Sequence, residues 1–360
     1  MNKWTKKSLV GLAVASALGI TSGAAHATAL ATGVLDLQNL AFYNHVAGPG
    51  LGAILVNGVN ITVTNFQTSG KAQATLNATN LDTGTQFGPP LDLAKQCIAP
   101  GGQCATDTRL AENHFTGTGV LGQVFSSKTP IPGDPTYNVS AADQLESGSP
   151  VAGIPAPAGG GTIPAPARIA ASGATVLLDG NTGSSVAQNG LTAQFDFITD
   201  ISGIVDIDFN AAAYLEAFAQ AGKFGNANAS YFTSFKIIDR GTQAVPLNTV
   251  IFNWTPDGLA GGITGGVEVL DPFTLNDTVG ATGPAGGTNF DGASLGVRNF
   301  GEFQAETPVL IAGHTYTLSA NMGVNTTVTV PNPIPEPGVL LLVGTGLLGL
   351  WGTRKRSLNS

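Results

Sequence analysis

The sequence predicts an all-β protein, built as an antiparallel β-sandwich with long Gly/Pro-rich loops. Three observations carry that prediction. First, 49 glycines and 21 prolines in 360 residues, amid many Thr, Asn and Val, punctuate the chain too often for long helices. Second, several runs alternate apolar and polar residues with period two, which makes one face of a strand buried and the other wet. Third, turn residues follow such runs at intervals of about ten residues, the spacing of a sandwich.

Taken in order, Val34 to Leu37 and Ala53 to Phe66 read as strands, and Asn60 to Phe66 alternates. Ala72 to Leu76 reads as a strand returning antiparallel after a Ser69-Gly70 turn. Asp82 to Thr108 is a Gly/Pro/Cys loop. Residues 147–173 form a Pro/Gly/Ala-rich stretch in which Ile154-Pro155-Ala156-Pro157 is echoed by Ile163-Pro164-Ala165-Pro166. Such composition buries little, so it reads as an extended, flexible insertion within one body. A linker between two domains is the competing reading.

The later half reads as better ordered. Gln194 to Ile198 and Ile204 to Phe209 alternate cleanly. Ala211 to Ala221 is ambiguous: Asn210 suits a helix cap, while the alternation of Tyr214, Glu216 and Phe218 favours the strand reading adopted here. Tyr231 to Ile238 and Val250 to Trp254 read as a paired set ending at the Pro256-Asp257-Gly258 turn. Val309 to Leu318 and Val324 to Val330 read as the closing strands.

The two ends differ from this body. Met1 to Ala27 has a basic start (Lys3, Lys6, Lys7), an apolar run from Leu9 to Ile20, and Ala25-His26-Ala27 as a cleavage site between Ala27 and Thr28. It reads as a signal peptide, with a retained anchor as the rival. At the other end, Pro331, Pro333, Pro335 and Pro337 impose an extended arm. An uncharged apolar stretch then runs from Gly338 to Gly352 and closes on Arg354-Lys355-Arg356. As a helix those fifteen residues span about 23 Å against a bilayer core of about 30 Å, a gap that local thinning and snorkelling close. A transmembrane helix is therefore expected over 338–353, with Arg354, Lys355 and Arg356 as a cytoplasmic stop. A buried C-terminal element is the rival reading.

With both ends set aside, Thr28 to Val330 keeps nine basic and 22 acidic residues, a net charge of about −13. That surface excludes nucleic acid as a partner, because phosphate contacts require clustered Lys and Arg. The two cysteines, Cys97 and Cys104, are expected to form a local disulfide in an exported chain, contributing about 2.5 kcal/mol by loop closure. A metal or redox pair is the rival, without the C-x-x-C spacing or a nearby histidine to favour it.

Ile334-Pro335-Glu336-Pro337, the short apolar segment and the basic end together resemble the PEP-CTERM sorting signal of Gram-negative bacteria. The resemblance covers residues 331–356, with Ile334 where valine is most usual. It implies transit through the secretion machinery and signal peptidase, a transient stop in the inner membrane, and processing by exosortase near the Pro-Glu-Pro motif. Release to the cell surface, outer membrane or extracellular matrix follows. The motif residues are then substrate features, not catalytic ones. Trp254-Thr255-Pro256-Asp257-Gly258 and Asp271-Pro272-Phe273-Thr274-Leu275-Asn276 also resemble motifs in the bodies of other proteins with this tail.

Within the body, Asp206 and Asp208 flank Ile207, so a strand sends both carboxylates to one face, with Asp196 and Asp200 near in sequence. A calcium site is one reading, since Ca²⁺ takes six to eight oxygens. A solvated acidic face is the plainer one. Paired carboxylates also suit glycoside hydrolysis, but no acid is marked as buried. His45, His114 and His314 are dispersed, and the sequence holds no H-E-x-x-H or P-loop. Trp254, Tyr214 and Tyr316 suit either a sugar-stacking surface or a core. The expectation is a non-enzymatic structural or adhesive surface protein without a cofactor. The alternative is a carbohydrate-binding module or glycan-active enzyme acting on exopolysaccharide. Unreduced peptide mapping of the exported protein should recover Cys97 and Cys104 in one cross-linked species, and two free thiols would contradict the disulfide.

Overall fold

The computed structural model describes residues 28–45, 56–57, 61–64, 69–82, 86–87, 94–98, 138–147, 168–178, 180–199, 202–221, 225–283, 286–292 and 299–331. Among them every regular element is a strand. In chain order these are β1 (Thr28–His45), β2 (Val56–Asn57), β3 (Ile61–Thr64), β4 (Ser69–Leu76), β5 (Thr79–Asp82), β6 (Gln86–Phe87) and β7 (Ala94–Ile98). Next come β8 (Asn138–Ser147), β9 (Arg168–Leu178), β10 (Asn181–Thr199), β11 (Ile204–Ala219), β12 (Asn226–Gly241) and β13 (Pro246–Trp254). The last are β14 (Ile263–Thr264), β15 (Val267–Leu270), β16 (Asp277–Thr282), β17 (Gly287–Asp291), β18 (Asn299–Glu306) and β19 (Thr315–Val330).

They form two antiparallel sheets. The first runs β15-β18-β11-β1-β9-β8-β7, with β17 also on β11 and β2 on β1. The second runs β14-β13-β12-β19-β10-β4-β5, with β16 on β12, β3 on β10 and β6 on β4. β12 shows why the sheets stack. Ala227, Ala229, Tyr231, Phe235 and Ile237 alternate with Asn226, Asn228, Ser230, Ser234 and Lys236, so one face turns inward and the other outward. β11 supplies the opposing inner face with Val205, Ile207, Phe209, Ala211, Ala213 and Leu215.

The interior changes character along its length. Around β11, β12, β13 and β18 it is aromatic. Phe209 stacks on Phe303 at 5.1 Å and 3°, lies 5.1 Å from Phe235 across the sheets, and 5.6 Å from Trp254. Around Gly33 of β1 and Gly183 of β10 the layers press closer. A Cβ on Gly33 would lie 2.7 Å from Val324 Cγ1, and one on Gly183 would lie 3.1 Å from Thr175 Cγ2. Hydroxyls cross the gap there: Thr175 and Thr326 bond at 2.7 Å, and Ser140 donates to the Ser184 carbonyl at 2.5 Å. Those bonds satisfy polar groups that burial would otherwise penalise.

The strand reading of Ala211–Ala221 holds to Ala219, and β12 pairs β13 through Phe235–Trp254 and Ile237–Phe252 as the pattern predicts. Several expectations are corrected. The strands are long, reaching 18 residues in β1 and 19 in β10, where short ones were expected. Ser69-Gly70 is part of β4 and not a turn, and β3 and β4 do not pair. β10 is long enough to take β3 at Asp196–Thr199 and β4 at Gly183–Gly190 in series. The Asp82–Thr108 loop contains β6 and β7, and residues 168–173 of the expected insertion belong to β9. Residues 309–314 are not strand, and the two expected closing strands are one, β19. In the unfolding of the full chain, Phe209→Ala should cost about 3–5 kcal/mol, the scale of a buried aromatic truncation, and Phe209→Leu clearly less. A denaturant midpoint unmoved by Phe209→Ala would contradict the core described here.

Candidate functional site

The best-defined arrangement of titratable groups lies where β13 leaves the second sheet and β15 joins the first. Trp254, fully buried at the end of β13, donates its indole Nε1–H to Glu268 Oε1 at 2.7 Å. Glu268 Oε2 accepts the Gly261 amide at 3.0 Å. Asp271 Oδ2 accepts the amides of both Asp257 and Gly258 at 2.8 Å. Asp257 in turn accepts the Leu259 amide at 3.0 Å. Asn276 ties the base of the knot, donating to the carbonyls of Thr233 and Pro256 at 3.0 Å. The two motifs at Trp254–Gly258 and Asp271–Asn276 are thus halves of one hydrogen-bonded structure.

Glycine is required at two points. Gly258 has φ +75°, and a Cβ there would sit 2.7 Å from the Thr274 amide nitrogen. Gly265 has φ +74°, and its Cβ would fall 1.9 Å from the Ile251 carbonyl oxygen.

Burial, the largest effect, pushes the Asp271 carboxyl up to about 7. The Glu268 carboxylate adds to it by hydrogen bonding and charge, while the Gly258 and Asp257 amides pull the other way. Asp271 Oδ1 is buried and meets no N–H or O–H donor. Both carboxyls hold backbone or indole N–H groups, so the pair organises a loop.

Asp206 and Asp208 share the outer face of the first sheet, as their spacing predicts, but the solvated face expected of them is corrected. Asp206 is 1 % exposed, on β11 between β1 and β18. On β18, Glu306 stands opposite Asp206 and Glu302 opposite Asn210, two acids that the sequence reading did not link to β11. Burial first, then the Glu302 charge, raises the Asp208 carboxyl above its usual range. Asp196 lies on β10 in the other sheet and accepts the Thr317 hydroxyl at 2.6 Å, so sequence proximity to Asp206 did not become spatial proximity. Asp200 lies outside the described residues. Among the described residues no group of three or more His, Cys, Asp or Glu is arranged to hold a metal.

The three aromatics considered for sugar stacking are buried. Tyr214 donates to Glu216 at 3.1 Å, and the Tyr316 hydroxyl accepts the Ile311 amide at 2.6 Å. His314 pairs with Asp239 at 3.0 Å. His45 falls on β1, and His114 lies outside the described residues. Cys97 falls on β7, and Cys104 lies outside the described residues. Ala25, Ala27, the signal peptide, Ile334, Pro335, Glu336, Pro337, the 338–353 segment, Arg354, Lys355 and Arg356 also lie outside them. Among the described residues no helix is long and apolar enough to cross a membrane.

Residues 333–357 match the family model for the PEP-CTERM protein-sorting motif. The chain therefore carries, after a β-sandwich-like body, the C-terminal signal of exported surface proteins sorted by exosortase. No curated protein matches the chain. Two structures of infectious bursal disease virus align with it. The Gt strain does so at 10 % identity, over 89 % of this chain and 85 % of that one, with a TM-score of 0.09. For the Gx strain the identity is 13 %, the coverage 90 % and 87 %, and the TM-score again 0.09. Scores that low carry no argument about fold.

Protonation at Asp271 makes the knot pH-dependent. Its folded value, about 7, lies above the ordinary 3.8, so the folded chain binds the extra proton between the two. Stability from this group is full below about 4 and is lost as pH rises to about 7. Thermal unfolding should show that decline, and Asp271→Asn, which keeps an acceptor and gains a donor toward Glu268, should flatten it. An unchanged slope in Asp271→Asn would contradict the raised Asp271 carboxyl.

Proposed function

We propose that the chain is a non-enzymatic surface or matrix protein of a Gram-negative bacterium, delivered in three steps. The secretion machinery exports it on Met1–Ala27, and signal peptidase cuts after Ala27. The apolar segment at 338–353 then halts it in the inner membrane, with Arg354, Lys355 and Arg356 left on the cytoplasmic side. Exosortase finally processes the arm near Pro335-Glu336-Pro337 and frees the β body for the cell surface, outer membrane or extracellular matrix.

The match at residues 333–357 carries this reading. Its physical logic is a division of solubility: a body with net charge of about −13 over Thr28–Val330 stays in water, while an uncharged segment with a basic end stays in lipid. The non-enzymatic part is supported by the engagement of the best-placed carboxyls. Glu268, Asp271, Asp257 and Asp196 all hold hydrogen bonds within the fold. The Cys97–Cys104 disulfide belongs to the same proposal, as the covalent pin of an exported loop.

Deleting Pro335–Pro337 should leave the protein in the inner-membrane fraction with its basic end intact, and release at the normal level would count against processing at the motif. The readout is an immunoblot of membrane, surface and medium fractions.

A further inference from the structure

The outer faces of the two sheets are unlike. On the first, Asp36, Asp206 and Glu216 are each 1 % exposed. On the second, the outward positions of β10, β19, β12 and β16 are open and in register. One row reads Thr182, Thr329, Asn226, Thr282 across the four strands, all exposed. The next reads Ser184, Thr327, Asn228 and ends on Gly280. A third, through Asn325, Ser230 and Thr278, continues the pattern. These rows carry no charged side chain, in a body of net charge about −13.

In the fourth row Phe232 stands opposite Gly323, and alternation along β12 puts its ring on this same outer face. It is half-buried, beside a neighbour without a side chain. Lys71 closes that row on β4, where β4 pairs β10 at Gln188.

We propose that this face binds an extended neutral polysaccharide. Sugar hydroxyls donate and accept at once, and Ser, Thr and Asn side chains do the same, whereas a carboxylate only accepts and an ammonium only donates. Neighbouring groups recur about every 4.8 Å across the strands and about every 6.8 Å along them, so a linear polymer meets the same chemistry repeatedly. Phe232 supplies the apolar platform on which the C–H face of one ring stacks. Lys71 and Lys236 stand at the edge of this face, while the hydroxyl rows carry no fixed positive charge and the acidic body repels polyanionic chains. The proposal names a partner for the surface protein, yet binding here does not depend on how the tail is processed.

The test is affinity electrophoresis of the full-length protein in a sugar-free detergent, through gels holding dextran, a neutral β-glucan, mannan or, as the anionic control, alginate. At least one neutral polymer should retard the protein saturably and alginate should not. Phe232→Ala should weaken retardation about tenfold, the scale of one aromatic contact. Phe232→Tyr should preserve it, and Thr327→Lys should weaken it with the melting point unchanged. Retardation by alginate alone, by none of the neutral polymers, or equally in Phe232→Ala and Thr327→Lys would overturn the proposal. Deleting Pro335–Pro337 changes localisation and leaves retardation intact, so failure of sorting and failure of binding read out separately.

Discussion

The fold depends on the seating of two sheets on one shared interior. Phe209 of β11 reaches Phe235 and Trp254 of the opposing layer while stacking on Phe303 of its own. Around Gly33 and Gly183 the layers instead close on glycine and hydroxyl groups. A single hydrophobic cluster runs from Ala29 to Val330, so the first and last described strands are held by the same core. Close packing of this kind tolerates little change in volume at either end. It also fixes what each outward face presents, since reversing one strand's register would move every side chain to the opposite side.

Parts of this were legible in the sequence because only one face of the strand is buried. β12 alternates strictly, and both its identity and its pairing with β13 follow from that. The same rule hides β9 and most of β1, of which only Val34–Leu37 reads as a strand. Their residues are buried on both sides, so Thr28–Gly33 and Ile169–Leu177 read as runs of small and apolar residues without a clear period. The end of β10 is legible at Gln194–Ile198, but its earlier part is hidden by small polar residues and by Asn189-Gly190, a dipeptide that signals a turn and here sits inside a strand. The placing of β3 and β4 end to end on β10 has no local signal, because it is decided by a strand more than a hundred residues away in sequence.

The candidate site was half legible. Spacing put Asp206 and Asp208 on one face, but nothing local announced that Asp206 would be enclosed or that Glu302 and Glu306 would face the same strand. The two motifs beginning at Trp254 and Asp271 stood out as residue patterns, yet their union through Asp271 and Asn276 was not visible. The paired glycines at 261–262 and 265–266 were the available hint, since repeated glycine marks places where backbone must approach closely. The tail is the opposite case. Its meaning is written in composition and order, proline arm then apolar stretch then basic end, and matches a family model over residues 333–357 without reference to the body.

In the function proposed here address is separate from surface: the tail sets where the sandwich is released, and the sandwich sets what it meets there. The most direct measurement is mass spectrometry of the C-terminus of the mature protein, taken from membrane and from surface or medium. The account predicts that released protein ends near Pro335–Pro337 and lacks Leu340–Arg356, while the membrane fraction retains them. Released protein that still carries Arg354-Lys355-Arg356 would contradict it.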